Sequence, residues 1–196
     1  MTTCRPALML GCVLGILRFG FGQQAPQRAK VDPTSEDQRF QQRMKQFDAE
    51  VARLQVKAKQ AFDSELAAET AGDCPDIVMT YELNECYSKV LTAARQNLAA
   101  YVRAIRDILN LEEPRFNGEL ANPGPDGMPL TREKELAELD LVERTWRPYV
   151  DAACAAHHHQ YGGGSGGPGA ELACRIRLTR SHMKDLGTVY GMLLLK

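Results

Sequence analysis

A strong charge of either sign is absent from this sequence of 196 residues, which carries 24 lysines and arginines against 25 aspartates and glutamates. Because the chain has no basic excess to hold a phosphate backbone, we expect no nucleic-acid partner. Aromatic residues are scarce, at 7%, and only 10 prolines are present. The abundance of alanine, leucine, glutamate, arginine and glutamine favours helices over the many short strands of a β-sandwich.

Motifs for catalysis or cofactor binding are absent as well. The sequence has no His-Glu-x-x-His or Cys-x-x-Cys spacing, and the glycines of residues 162–169 are not followed by the Lys-Ser/Thr pair of a phosphate-binding loop. Ser165 has no neighbouring histidine and aspartate to activate it as a nucleophile. We therefore predict that the protein is not an enzyme and uses no cofactor and no small-molecule substrate.

Three adjacent histidines, His157, His158 and His159, are the side chains that most suggest a metal. Adjacent residues point in different directions on a helix, so the three cannot share one face. We interpret them as a solvated helix end and predict no metal site. A shared surface site for zinc or copper is the alternative, and His182 is too distant in sequence to be assigned to it.

Residues 1–22 have the pattern of a signal peptide. They contain Arg5, Arg18 and no acid, and the twelve residues between these arginines are almost wholly apolar. That run is too short to span a bilayer comfortably. Gly20 and Gly22 are small enough to precede a cleavage site at Gln23. The sequence therefore predicts a periplasmic or secreted protein.

Lipidation is a weaker alternative for the same segment. Gly11-Cys12 would be the attachment point, but apolar sequence continues beyond it. Cleavage after Gly22 removes two arginines and no acid, so residues 23–196 keep 22 basic and 25 acidic groups of the original 24 and 25. The exported chain is mildly acidic.

Four helices are predicted from apolar positions spaced three and four residues apart. The first begins near residues 32–35 and ends at Gly72-Asp73, the second runs from Thr80 to about Leu111, the third follows Thr131, and the fourth begins near Ala170. Between them, residues 112–130 are rich in proline and glycine and predict a long irregular loop, and residues 161–169 predict a flexible connector. The predicted fold is all-α: a disulfide-stapled antiparallel helical bundle with an extra long N-terminal heptad helix.

The first helix has a regular apolar stripe, which burial of one face in the bundle explains. A homodimer through residues 36–71, as a coiled coil, is the alternative. The third helix has a predicted inward face that includes Trp146 and Tyr149, and Pro148 is expected to cost it one hydrogen bond and to bend it. The stripe of the first helix comprises Phe40, Met44, Phe47, Val51, Leu54, Ala58 and Ala61.

Four cysteines remain after cleavage, and an even number in an exported chain predicts two disulfides. Cys74 and Cys86 would lie roughly 18 Å apart on one continuous helix, too far for a bond. Pro75 and the Thr80 cap favour placing Cys74 in a turn that folds back. Cys154 and Cys174 flank the glycine-rich segment, as expected for the closure of an antiparallel hairpin. Both predicted bridges are therefore local.

The cysteines stand in a wider series of motifs between residues 74 and 190. The series comprises Cys74, Thr80 to Cys86, Leu98 to Tyr101, Trp146, Tyr149, Asp151, Cys154, Gly163-Gly164-Ser165, Cys174 and Leu178-Thr179-Arg180. In this order it resembles the lysozyme inhibitor LprI-like family, small exported helical proteins with disulfides. The resemblance places the family domain at residues 74–190. With the signal peptide at 1–22, this leaves 23–73 for a linker and added helix and 191–196 for a tail.

The chain departs from the family pattern in places. Val150 stands where the family usually has an arginine, and Gln96 replaces an aspartate often found before the Leu-Asn step. We assign the shared polar and aromatic positions a structural role. In particular, we expect Trp146 to pack against Tyr149 and the fourth helix. Asn84 and Arg180 would form either an internal hydrogen-bonded pair or part of a partner surface, and we favour the structural role. The structural motif is Asn84, Tyr101, Trp146, Asp151 and Arg180.

The resemblance implies a protein partner, lysozyme being the first candidate, and inhibition by occlusion of its cleft. The contact would come from the glycine-rich segment, followed by the loop of residues 112–130. The alternative function is that of a structural or assembly protein of the cell envelope, acting through residues 36–71. The candidate partner-binding residues are Tyr161, Gly163, Gly164 and Ser165.

Overall fold

The computed structural model describes residues 33–116, 119–120 and 132–194. The expected signal peptide, Cys12 and most of the loop 112–130 lie outside this part of the chain. The described elements are α1 (Pro33–Ala71), α2 (Thr80–Asn110), β1 (Arg115–Phe116), β2 (Glu119–Leu120), α3 (Arg132–His159) and α4 (Gly167–Leu194). The all-α prediction is confirmed. None of the described helices is long and apolar enough to cross a membrane.

The helices form an up-down-up-down bundle around a parallel pair, α2 and α4. Asn84 of α2 lies against Gly169 of α4, and Tyr101 lies against Gly187, so the two helices keep the same register along their length. α1 packs mainly on α2, and α3 packs mainly on α4. α1 and α3 thus pack on different members of the central pair. The interface between α1 and α4 and the interface between α2 and α3, here called seams, therefore have fewer contacts.

The C-terminal half of the α1 stripe belongs to the main core. Leu54 and Ala58 are 1% exposed and Ala61 is 7% exposed, and all three face the bundle. The N-terminal half is only half-buried, and there Phe40 packs on Phe116 of β1 with ring centroids 5.1 Å apart. The buried half is not available for a coiled-coil dimer while the bundle is closed. The homodimer stays a prediction.

The turn between α1 and α2 explains the first disulfide. Gly72 ends α1 with a φ of +84°, a left-handed conformation that glycine adopts without strain. Cys74 and Asp76 also have positive φ angles, of 55° and 65°, so the chain reverses sharply within a few residues. This brings Cys74 within 6.0 Å of Cys86, measured between Cα atoms, and the two are bonded.

The second disulfide joins Cys154 of α3 to Cys174 of α4, with Cα atoms 5.5 Å apart. Both predicted pairings are thus confirmed. The first links the turn after α1 to α2 and the second links α3 to α4, and both bridges lie toward the end of the bundle where α2 and α4 begin. They therefore hold together the end that carries the turn between α3 and α4.

Several local predictions are wrong. The segment predicted as irregular contains a two-residue antiparallel ladder, in which Arg115 pairs with Leu120. α4 begins at Gly167, before the predicted start near Ala170. α3 includes Pro148, and the bend expected there stays a prediction. Tyr149 is 60% exposed, because the buried stripe of α3 passes from Trp146 to Val150 at a spacing of four residues.

Candidate functional site

The turn between α3 and α4, residues 160–166, contains all the predicted partner-binding residues. Tyr161, Gly163, Gly164 and Ser165 are exposed at the end of the helical hairpin. Gly162 and Gly163 have φ angles of +55° and +80°, which a side chain would disfavour. The glycines therefore allow a tight reversal between two helices that a disulfide holds together.

This turn is hydrogen-bonded along its length, which its glycine content alone did not predict. The amide of Gly164 donates to the carbonyl of Tyr161 at 2.9 Å, and the amide of Gly167 donates to the carbonyl of Gly164 at 3.1 Å. The Tyr161 ring lies against Gly166 and meets His157 edge-on, with centroids 6.1 Å apart. The Tyr161 side chain is thus half-exposed, and these two contacts hold its ring in place.

Arg180 lies at the centre of a buried polar cluster on the seam between α1 and α4. Its Nε donates to Glu65 at 2.7 Å, and its two terminal nitrogens donate to Asp73 at 2.7 and 2.9 Å. Asn97 of α2 donates to the other oxygen of Glu65 at 2.9 Å. Burial opposes the charged form of Arg180, but these hydrogen bonds outweigh it and raise the pKa of the guanidinium.

Asn84 is not the partner of Arg180, so that expected pair is wrong. The Oδ1 atom of Asn84 is buried and has no hydrogen-bond partner among the residues that the structure describes. It faces Gly169, where an added Cβ would lie 2.7 Å from it. Tyr101 is 4% exposed and packs against Phe62, with centroids 5.8 Å apart, and burial raises its pKa. Both side chains fit positions where α2 packs against its neighbours.

Trp146 packs on α4, as predicted, but its partner there is a histidine. The indole stacks on His182 with centroids 4.2 Å apart and planes inclined by 7°. His182 is buried, and its Nε2 lies 2.7 Å from Glu143 of α3. Asp151, another motif residue, accepts a hydrogen bond from Arg175 of α4 at 2.6 Å. These contacts attach α3 to α4.

The other weak seam, between α2 and α3, is an open groove of about 1080 Å³. Arg106 of α2 bridges it to Asp140 of α3 at 2.5 Å. The hydrogen bond from Arg106 holds the pKa of Asp140 below its ordinary value, and Arg144 lowers it further. Trp146 forms part of the apolar floor.

Several of these residues were not identified from the sequence, although the sequence contains a signal for two groups. Glu65 continues the spacing of Leu54, Ala58 and Ala61, so it is an acid on an apolar stripe and needs a buried partner. The groove arginines of α2 and α3 recur at helical spacing on one face of each helix. That those two faces meet across a seam follows only from the packing.

The three adjacent histidines are held at the end of α3 by contacts with α4. His157 Nδ1 lies 3.2 Å from the carbonyl oxygen of Ala170, and His158 Nδ1 lies 2.9 Å from Glu171. Arg175 also donates to Glu171, at 3.1 Å. In the part of the chain that the structure describes, no three histidine, cysteine or acidic side chains are grouped as metal ligands would be.

Comparison with models of protein families gives a match over more than half of the chain. A family model described as Lysozyme inhibitor LprI matches residues 71–186. The match begins at the end of α1 and includes both disulfides, Trp146, Arg180 and the turn between α3 and α4. No curated protein and no solved structure matches the chain. Because the family model covers more than half of the sequence, the chain belongs to the lysozyme inhibitor LprI family.

Proposed function

We propose that this protein is an exported inhibitor of lysozyme-type peptidoglycan hydrolases that acts by occluding the cleft of the enzyme. The observation that carries the proposal is the match of residues 71–186 to the lysozyme inhibitor family. Two disulfides agree with an oxidising compartment outside the cytoplasm. The signal-peptide pattern of residues 1–22 supports the same location.

The turn of residues 160–166 is the proposed contact surface. It is narrow, exposed and located at the tip of two antiparallel helices, so its shape suits a concave site. Its hydrogen bonds and the packed ring of Tyr161 order it before binding, which reduces the entropy lost on association. Tyrosine at the centre of such a surface supplies a large contact area with few rotatable bonds.

The opposite net charges of lysozyme and this protein favour their encounter but contribute little to the affinity. Lysozymes are generally basic, and residues 23–196 carry 22 basic and 25 acidic groups. The resulting attraction is weak and is screened beyond about 8 Å at physiological ionic strength. Affinity would therefore depend on the fit of the turn in the cleft.

A cell-wall lysis assay tests the proposal. Mature, oxidised protein is added to a purified lysozyme, and the loss of turbidity of a cell-wall suspension is followed. We expect lysis to slow in proportion to the inhibitor until it stops. Unchanged lysis at a large molar excess of the protein, with lysozymes of more than one structural class, would contradict the proposal.

A pair of tyrosine variants tests the contact surface. Tyr161→Ala is expected to raise the half-inhibitory concentration about tenfold, as for a central interface side chain. Tyr149→Ala is the matched control, since Tyr149 is a similarly exposed tyrosine on the body of α3. We expect the control to inhibit within about twofold of the wild type. Equal inhibition by wild type and Tyr161→Ala would place the contact elsewhere on the protein.

A further inference from the structure

The groove between α2 and α3 differs in charge from the rest of the protein. Six arginines and three acidic residues line it, an excess of three positive charges in a chain with a formal net charge of −1. Its volume of about 1080 Å³ matches the larger ligand sites of proteins. The surface is therefore a localised positive groove on an acidic protein.

The groove arginines fall into two sets. Arg106 is paired with Asp140, Arg147 lies 4.0 Å from Glu143, and Arg175 is paired with Asp151 and Glu171. The other set, Arg95, Arg103 and Arg144, forms no salt bridge and no side-chain hydrogen bond within residues 33–116, 119–120 and 132–194. This second set is exposed, and its guanidinium groups are free to bind an added anion.

The floor of the groove is apolar. Leu98 and Val150 are 5% exposed, and the partly buried Val102 and Trp146 complete it. Positive walls above an apolar floor suit a ligand with acidic and apolar groups on different sides. A bare phosphate or a sugar–phosphate chain would leave this floor uncovered.

The length of the groove sets the size of its occupant. Arg95 and Arg106 lie at the two ends of the α2 wall, and eleven residues of helix extend about 16 Å. An extended peptide rises about 3.3 Å per residue, so about five residues span this distance. In an extended peptide successive side chains alternate, which separates acidic from apolar groups when the two types alternate in sequence.

We propose that the α2–α3 groove binds a short, extended acidic peptide. Its carboxylates pair with Arg95, Arg103 and Arg144, and its apolar side chains lie on Trp146. The bonds of Arg106 and Arg175 to Asp140 and Asp151 show that guanidinium groups of this groove already bind carboxylates. The site is separate from the turn of residues 160–166, so it does not depend on lysozyme inhibition.

Trp146 provides the measurement, because it is the only tryptophan of the chain and lies in the groove. The probe is the synthetic peptide Glu-Leu-Glu-Leu-Glu, titrated into the mature oxidised protein at low salt while tryptophan emission is recorded. We expect a saturable change that weakens as salt is added. The peptide Gln-Leu-Gln-Leu-Gln is expected to produce none. Calorimetry of the same mixtures detects binding that leaves the emission unchanged.

Two triple variants of equal charge locate the binding. Arg95→Ala/Arg103→Ala/Arg144→Ala is expected to weaken the peptide at least about tenfold, through the loss of three charge-assisted contacts. The control, Arg39→Ala/Lys45→Ala/Lys57→Ala, removes the same charge from the exposed face of α1 and should bind like the wild type. Absence of saturable binding, or equal weakening in both variants, would overturn the proposal. Circular dichroism verifies that both variants fold.

A further comparison identifies the source of the peptide. Peptides released from cell walls carry glutamate carboxylates, and we titrate them beside the synthetic peptide. Equal affinity would assign the site to the wall, and much weaker binding would assign it to an acidic segment of a partner protein. Both results keep the peptide site. Binding of polygalacturonate without binding of either peptide would overturn it in favour of an acidic polysaccharide.

Discussion

Arg180 of α4 donates two hydrogen bonds to Asp73, the residue that precedes Cys74, at 2.7 and 2.9 Å. The same guanidinium donates to Glu65 of α1. One side chain therefore joins the end of α1, the turn with the first disulfide and the central helix α4. The side chains of Arg180 and Glu65 are 7% and 5% exposed, so this is a buried ion pair with most of its hydrogen-bonding groups satisfied.

Removal of Arg180 should destabilise the fold strongly. Among the described residues, Arg180→Met leaves the buried Glu65 with Asn97 alone as a partner, and breaking such a pair costs about 3 kcal/mol or more of unfolding free energy. Arg53→Met is the control, because its pair with Glu50 is exposed and its loss should lower the unfolding free energy far less. Urea unfolding of both variants measures the difference. Similar losses of unfolding free energy in the two variants would mean that burial does not increase the contribution of the Arg180 cluster to stability.

The two disulfides should contribute similar stability but different local order. Replacing either cysteine pair by alanine is expected to lower the free energy of unfolding by about 3 kcal/mol in the loop-entropy model. Only the Cys154→Ala/Cys174→Ala variant should accelerate hydrogen exchange of the Gly164 amide, because this bridge joins the helices on either side of the turn. Equal acceleration in the Cys74→Ala/Cys86→Ala variant would show that the bridge does not order the turn.

The helices could be predicted because their apolar spacing is local information, and the disulfides could be paired because each closes a short segment. The inward face of α3 could not be fixed beyond Trp146. Tyr149 and Val150 are both apolar enough to be buried, and the packing of α3 against α4 selected Val150. Sequence spacing alone does not decide between neighbours on a helix.

The candidate sites, like the helices, could be predicted from the sequence only in part. The turn of residues 160–166 was identified from its glycines, but its order depends on bonds such as that between Gly164 and Tyr161. The groove was not predicted, because its arginines lie on α2, α3 and α4, which are far apart in sequence. Each charged stripe alone resembles an ordinary solvated face. The two stripes face each other across open space only because α3 packs mainly on α4 and makes few contacts with α2.

The effect of Gly169→Ala on stability should change sign when Asn84 is also substituted. A Cβ at Gly169 would lie 2.7 Å from the buried Oδ1 of Asn84, so Gly169→Ala is expected to cost about 1 kcal/mol in the wild-type background. In an Asn84→Ala background the space is free, and the same substitution should stabilise slightly through helix propensity. A double-mutant cycle by urea unfolding measures both effects. The same sign in both backgrounds would exclude the close contact.

Glu171 should make the fold lose stability in acid. Its hydrogen bonds with His158 and then with Arg175 hold the pKa of this carboxyl below its ordinary value of 4.5. A lowered pKa in the folded state adds stability that is complete above the ordinary pKa and is lost as pH falls through the folded value. Glu171→Gln should therefore be less stable than the wild type near pH 6, by less than about 1 kcal/mol because the site is partly exposed. The difference should shrink between about pH 5 and pH 3.

Chemical unfolding at a series of pH values measures this convergence. Asp48→Asn is the control for the loss of one negative charge, since Asp48 is exposed in the middle of α1. Its difference from the wild type should stay small over the same range. If the Glu171→Gln difference did not decrease toward acid, the contacts of Glu171 with His158 and Arg175 would not favour its ionised form. The junction of α3 and α4 behind the turn would then depend on the disulfide and on packing.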